Sequence, residues 1–247
     1  MTSTPSLRLV YFQVRARVES ARMILAYGNI AYKDDDCNSY FGMSFPEAKK
    51  AGKMPFGQLP ILEVGGADGK LIGIILINFK IIWHLQGGLN IIHLGQSGSI
   101  NRYLASLVDT PGFYPTDPVV LAYCDMIHET AQDMFLIQPI VNVYRDDTWK
   151  QKKTEFFENI LPSKLTALYK HLGDKKFFCG DIVTYCDFHV YHHFDLCRLV
   201  VPTVFNEYPK IVNWMKNVEA LPGVKQYLEK RPVPVDIGTK PMLKPRN

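Results

Sequence analysis

The chain has 247 residues, 47% hydrophobic and 21% charged, an ordinary globular balance with room for one large domain or two small ones. A net charge of +4 without a dense Lys/Arg block argues against nucleic acid as a partner. Five cysteines (Cys37, Cys124, Cys179, Cys186 and Cys197) are an odd number without CxxC spacing, which argues against a disulfide framework and a zinc site and for reduced thiols in a cytoplasmic protein.

The opening MTSTPSLRLV has no basic stretch followed by a long apolar one, so no secretory signal is expected. Residues 7–12 (LRLVYF) read as a buried strand. Residues 18–27 read as a helix with Val18, Ala21 and Leu25 on one face and Gly28 as its stop. Residues 31–33 are a candidate second strand, and 34–53 read as polar and irregular. In KMPFGQLPILEVGG a loop with two prolines precedes an apolar strand, 61–64, ended by Gly65-Gly66.

The run 72–83 (IGIILINFKIIW) is too short for a bilayer span of about 20 residues and is broken by Lys80, so no membrane span is expected. Two β-branched runs, 70–77 and 89–94, compete for the strand before Gln96; only the second leads directly into it. From Ser97, the residues Ile100, Tyr103, Leu104, Leu107 and Val108 follow a helical period. Residues 109–117 (DTPGFYPTD) read as a linker. Beyond them 119–143 and 151–171 are long periodic segments. Thr184-x-x-Asp187 is a capping-box-like helix start, and 208–214 and 223–230 are further helices. The Pro- and Lys-rich tail from Arg231 reads as loosely ordered. Strands and helices alternate at first and helices alone follow, which predicts a small α/β domain joined to an all-α domain.

Three features of the first domain point toward one small ligand. Gln96-Ser97 precedes a strongly periodic helix, whose first N–H groups and dipole make an anion site; the plainer reading is that Ser97 only caps the helix. Gln58-Leu59-Pro60 opens a strand. A cis bond there would turn the Leu59 backbone toward a peptide ligand, and a trans turn is the plainer reading. Tyr11 ends the first strand with Arg17 close behind in sequence. A phenol set against a thiol stabilises the thiolate; a strand-end tyrosine beside a solvated arginine is the alternative.

The order of these stretches, LVYFQVRARVESARMILA, then MPFGQLPILEVGG, then GQSGSINRYLASLV, resembles the N-terminal domain of glutathione transferases. The sigma-type class, which includes the glutathione-dependent prostaglandin D synthases, is the most similar. GDIVTYCDFHVY and YPKIVNWMKNVEALPGVKQYLEKRP resemble the family's helix-capping segment and last helices. The resemblance implies an α/β thioredoxin-like glutathione-binding domain over 5–110 and an all-α C-terminal domain over 116–232 that supplies the electrophile pocket, with 233–247 a flexible tail. It implies a cytoplasmic homodimeric detoxification enzyme with glutathione as co-substrate and no further cofactor or metal.

By motif position, Tyr11 would stabilise the glutathione thiolate with support from Arg17. Gln58 and Leu59 would hold the cysteinyl part, with Pro60 as the cis proline. Gln96 and Ser97 would grip the γ-glutamyl end. Across the dimer interface Glu129, with Asp125 as the fallback, would reach the γ-glutamyl amine. Lys49 or Lys53 would meet the glycyl carboxylate. The chain departs from the family pattern at Ala16, where Arg-Gly-Arg is usual, at Phe45, where a tryptophan is frequent, and at Cys186, where alanine is frequent.

The family runs from the turn to Gln-Ser through one short strand, so 72–93 is an unusual insertion. It reads as unspliced or mis-assembled coding sequence, as an apolar insertion used in assembly, or as a hairpin folding back through Gln86-Gly87-Gly88. The leading function is thiolate attack by glutathione on an apolar electrophile. A glutathione-dependent isomerase or peroxidase, a non-catalytic structural or ligand-carrying relative, and a chain inactivated by 72–93 are the alternatives.

Overall fold

The computed structural model describes residues 5–65 and 91–246. Its contacts define two compact units, Met1–Gln13 with Ala31–Ile100, and Val14–Ile30 with Asn101–Asn247. Most of the insertion, including the run 70–77, lies outside the described residues.

Strand β1 (Ser6–Tyr11) is followed by a 3-10 turn at Ala16–Val18, helix α1 (Glu19–Tyr27) and strand β2 (Lys33–Asp36). Next come α2 (Cys37–Phe41), α3 (Phe45–Lys50), β3 (Ile61–Gly65), β4 (Ile91–Gly95) and α4 (Ser97–Ser106). The sheet order is β2-β1-β3-β4, with β2 parallel to β1 and the other pairings antiparallel. This is the thioredoxin-like sheet expected. Leu7, Leu9, Val10, Ile61, Leu62 and Val64 are buried, as β1 and β3 occupy the middle of the sheet.

Strand β4 is taken from the second of the two competing runs, so residues 91–93 belong to the sheet and not to an added segment. Strand β2 starts two residues later than periodicity predicts. Its acidic residues are drawn into the ladder by pairing with β1, and Arg8 Nε lies 3.1 Å from Asp35. The stretch read as irregular contains two helices too short to show a period. Asp36 caps α2, accepting from the N–H groups of Asn38 and Ser39. The carboxylate of Glu47 accepts from the Ser44 N–H at 2.9 Å, a capping box legible as Ser-x-x-Glu.

The helical unit continues with α5 (Pro118–Gln132), α6 (Ile137–Asn142), α7 (Asp146–Thr154), α8 (Leu161–Leu172), α9 (Tyr185–Val200), α10 (Pro209–Glu219) and α11 (Val224–Lys230). The segment 119–143 is two helices, because Pro139 has no N–H to bond the carbonyl of Phe135. Pro162 likewise has no N–H to offer the Glu158 carbonyl in an α-helical bond, and the chain reaches it through a π-helical stretch at Glu155–Ile160. The tail carries a short hairpin. Strand β5 (Val233–Val235) pairs with β6 (Met242–Lys244), and the Asp146 N–H donates to the Gly238 carbonyl at 2.8 Å. Gly238 has φ +85°, and the Trp149 ring lies where a side chain would begin.

Helix α9 is the axis of this unit, buried from Tyr185 to Cys197. At its start Asp187 accepts from the Thr184 N–H and hydroxyl, the Phe178 N–H and the Trp214 indole N–H, at 2.9–3.0 Å. Burial still pushes its carboxyl up to about 6 against those four donors. Further along, His189, His192 and His193 are buried, and His128 from α5 stacks on His189 at 4.0 Å. Burial lowers all four imidazoles, His128 and His193 to about 4. Both ring nitrogens of His192 lack a hydrogen-bond partner among the described residues.

A base whose folded pKa is depressed is protonated first in the unfolded chain. Stability therefore falls as pH drops below about 6.5, toward the folded values near 4. His192→Phe removes one such group along with two unpaired nitrogens. In chemical denaturation between pH 7.5 and pH 5 the variant is expected to gain on the parent by up to about 1.4 kcal/mol per pH unit below 6.5. Parallel curves for the two proteins would contradict a neutral buried His192.

Candidate functional site

The sheet register brings most of the sequence-predicted residues to one end of the sheet unit. Val10 pairs with Ile61, and Ile61 with Gly95, forming a row across β1, β3 and β4. One step past that row lie Tyr11, Pro60 and Gln96. Adjacent strands are about 4.8 Å apart, so the outer two backbones are separated by about 10 Å, the length of three extended residues.

Tyr11 is 7% exposed, its ring edge-on to Phe12 at 5.3 Å. Phe12 makes a second edge contact at 5.2 Å with Phe45, whose N–H donates to the Asn38 side chain at 3.0 Å. Phe45 opens α3, and the same helix carries Lys49, whose aliphatic stem runs beside Gly57. The exposed Lys53 follows the helix end, with its N–H donating to the Ala48 carbonyl.

The Leu59–Pro60 bond is cis. Gln58 and Leu59 precede the first paired residue of β3, so their backbones lie outside the ladder. The turn ahead of them, Pro55–Gly57, holds Phe56 at φ +55° and 79% exposed. Gln96 is exposed and sits at φ +66°, a conformation that costs a non-glycine residue roughly 1–2 kcal/mol. Its carbonyl accepts the first helical bond of α4, from Ile100 at 3.0 Å. Ser97 is therefore the first helical residue, mostly buried, with the free N–H groups of the first turn around it.

Arg17 and Glu129 belong to the helical unit. The Arg17 guanidinium lies 3.9 Å from the centre of the Phe135 ring. Ala16 beside it has φ +26°, which accounts for the glycine usual in this family pattern. Glu129 is exposed and ion-paired with Arg102 at 2.7 Å. Asp125, the fallback, takes the other side of the same guanidinium at 2.7 Å and also accepts from the Tyr185 hydroxyl.

Two features escaped the sequence reading. Arg15, two residues from Arg17, is the arginine committed to the fold, and nothing in the spacing separates the two. Cys124, Cys179 and Cys186 gather although no CxxC spacing announces them.

A four-stranded thioredoxin-like sheet followed by an all-helical region is the architecture of glutathione transferases. The family described as "Glutathione S-transferase, C-terminal domain" matches residues 133–231. The chain belongs to the glutathione S-transferase family. It is 32% identical over 240 residues to hematopoietic prostaglandin D synthase of Gallus gallus, covering 92% of this chain and 98% of the relative. It is 29% identical to probable glutathione S-transferase 6 of Caenorhabditis elegans, covering 91% and 96%. The solved structure of rat hPGDS complexed with a quinoline superposes with a TM-score of 0.69 at 25% identity, covering 91% and 96%.

Because Gln96 is exposed, its strained backbone is not repaid by packing of its own side chain. Gln96→Gly is expected to raise the unfolding free energy by about 0.5–1 kcal/mol, the relief of strain less the entropy cost of glycine. A lower denaturation midpoint in the variant would contradict the strain at this position.

Proposed function

We propose that the chain is a glutathione transferase whose sheet unit binds the tripeptide along the line Tyr11, Leu59-Pro60, Gln96-Ser97. The observation that carries this reading is the register: three loop-facing positions, one strand apart each, match the length of an extended tripeptide. The Leu59 backbone pairs with the cysteinyl residue as a further strand would. Gln96, Ser97 and the first N–H groups of α4 hold the γ-glutamyl carboxylate. Gln58 supports the cysteinyl part, Phe45 packs on the glycyl end, and Lys49 or Lys53 neutralises its carboxylate.

The Tyr11 hydroxyl donates to the glutathione sulfur. A hydrogen bond to a charged group is worth about 1.5–3 kcal/mol, which lowers a thiol pKa by about 1–2 units. Starting from ~8.5, a shift of ~1.5 units raises the thiolate from about 3% to about half at pH 7. The thiolate then attacks an apolar electrophile. Arg17 is included as a supporting cation on the family pattern alone. No metal or further cofactor enters the reaction. We infer a homodimer in which the partner subunit's Glu129 meets the γ-glutamyl amine, and a cytoplasmic location consistent with five free cysteines.

The similarity to a prostaglandin D synthase favours a second reading, isomerisation through the same thiolate. Thiol accounting separates the two: conjugation consumes one glutathione per turnover, and isomerisation returns it.

Tyr11→Phe removes one oxygen. In ultraviolet titration of the bound tripeptide, the thiol of the variant complex is expected to ionise about 1–2 pH units higher, with binding affinity little changed. Identical ionisation in both complexes would sink the mechanism.

A further inference from the structure

The helical unit assembles a second set of reactive groups that the glutathione chemistry does not use. Cys124 lies in the middle of α5, Cys179 at the corner of the tight turn Phe177–Gly180, and Cys186 in the first turn of α9. Their three sulfur atoms lie within 4.8 Å of one another. Cys124 and Cys186 are fully buried, and Cys179 is partly exposed.

Two of the three sulfurs are held by separate devices. Phe177 and Gly180 exchange both backbone hydrogen bonds, at 2.8 and 3.1 Å, which fixes the corner that carries Cys179. The Phe178 N–H donates to Asp187 at 3.0 Å and ties that corner to the start of α9. The Thr184 hydroxyl lies 3.2 Å from the Cys186 sulfur. Cys186 sits in the first turn of a sixteen-residue helix; burial and the neighbouring Asp187 push its thiol up, so the free sulfur stays protonated until a cation replaces the proton. Among the described residues no other three potential metal-ligating side chains converge in this way.

A disulfide joins two sulfurs at about 2.05 Å and leaves a third unused. Three sulfurs around one ion, at metal–sulfur distances of about 2.3 Å in a plane, are about 4 Å apart, which the observed grouping accommodates. The donor set is all sulfur, with no carboxylate or imidazole, and so selects soft cations over magnesium or calcium. We propose that Cys124, Cys179 and Cys186 form a three-coordinate site for one soft d10 metal ion of the copper(I) or cadmium(II) type. On binding, each thiol gives up its proton to solvent as its sulfur–metal bond forms. The partly exposed Cys179 is the side from which the ion enters.

The probe is cadmium(II), added to the whole reduced chain without glutathione or other thiols in solution. The thiolate-to-cadmium charge-transfer absorbance is expected to saturate at one ion per chain, with release of about three protons. Cys179→Ser, at the least buried member, is expected to weaken binding at least tenfold and to cut the proton release by one. Cys37→Ala and Cys197→Ala are expected to bind as the parent does. Thermal melting without metal establishes that each variant folds, and cadmium is expected to raise the melting temperature of the parent but not that of Cys179→Ser. Absence of the band at one equivalent, or an undiminished band in Cys179→Ser, would overturn the site.

Discussion

Four charged side chains, Arg15, Glu19, Asp195 and Arg231, are buried together in the helical unit and fix three stretches of chain far apart in sequence. Arg231 bonds Glu19 at 2.6 Å and Asp195 at 2.5 Å. Arg15 reaches Asp195 at 3.2 Å and the Pro232 carbonyl at 2.6 Å. Burial alone would raise both carboxyls, but Arg231 and the neighbouring arginines outweigh it and hold Glu19 and Asp195 below the usual range. A cluster of this kind is not a large net source of stability. Its effect lies in the penalty for disruption, because loss of one member strands a buried charge at about 3–5 kcal/mol. The segment after β1 therefore has one permitted seat, on α9 and the end of α11. This is why residues 14–30 count with the helices and not with the sheet that flanks them in sequence.

The same constraint accounts for the backbone between the two arginines. Arg15 is drawn into the charge cluster while Arg17 lies over Phe135, and Ala16 between them takes a positive φ. Glycine accepts that conformation freely and alanine does not. Three neighbouring residues thus divide the work: one is structural, one is strained, and one presents its charge beside an aromatic face. Sequence spacing ranks Arg15 and Arg17 as equals. Only the distant Asp195 and Pro232 distinguish them.

Legibility in the sequence followed the range of the forces involved. The strand around Leu9, the stop at Gly28, the strand after Pro60 and the box at Thr184–Asp187 were readable because each is set by neighbours within a few residues. The candidate site around Tyr11, Gln58-Leu59-Pro60 and Gln96-Ser97 was legible only through the resemblance of the motif order to glutathione transferases, since each motif alone has a plainer local reading. Helices α2 and α3 were missed because five or six residues cannot display a helical period, although Ser44-x-x-Glu47 was present as a cap. The hairpin in the tail was missed because Gly238 and Trp149 meet only through tertiary packing. The cysteine trio was missed because its members come from a helix, a turn and a second helix, and no local spacing encodes that convergence.

Asp187 connects the fold of the helical unit to its sulfur chemistry. Its carboxylate joins the turn at Phe178, the cap at Thr184 and the indole of Trp214, so it sets the position of Cys179 relative to Cys186 while touching neither sulfur. The geometry of the trio is thus a by-product of a cap that α9 needs in any case. In the family pattern that the sequence resembles, alanine stands where this chain has Cys186, and the cap made by Thr184 and Asp187 does not use the thiol. The sheet unit treats Gln96 in a related way: a residue that stability alone would give to glycine is held strained and exposed at the end of β4. In both units rigid elements fix the backbone first, and the identity of a single exposed or replaceable side chain then decides what chemistry that backbone carries.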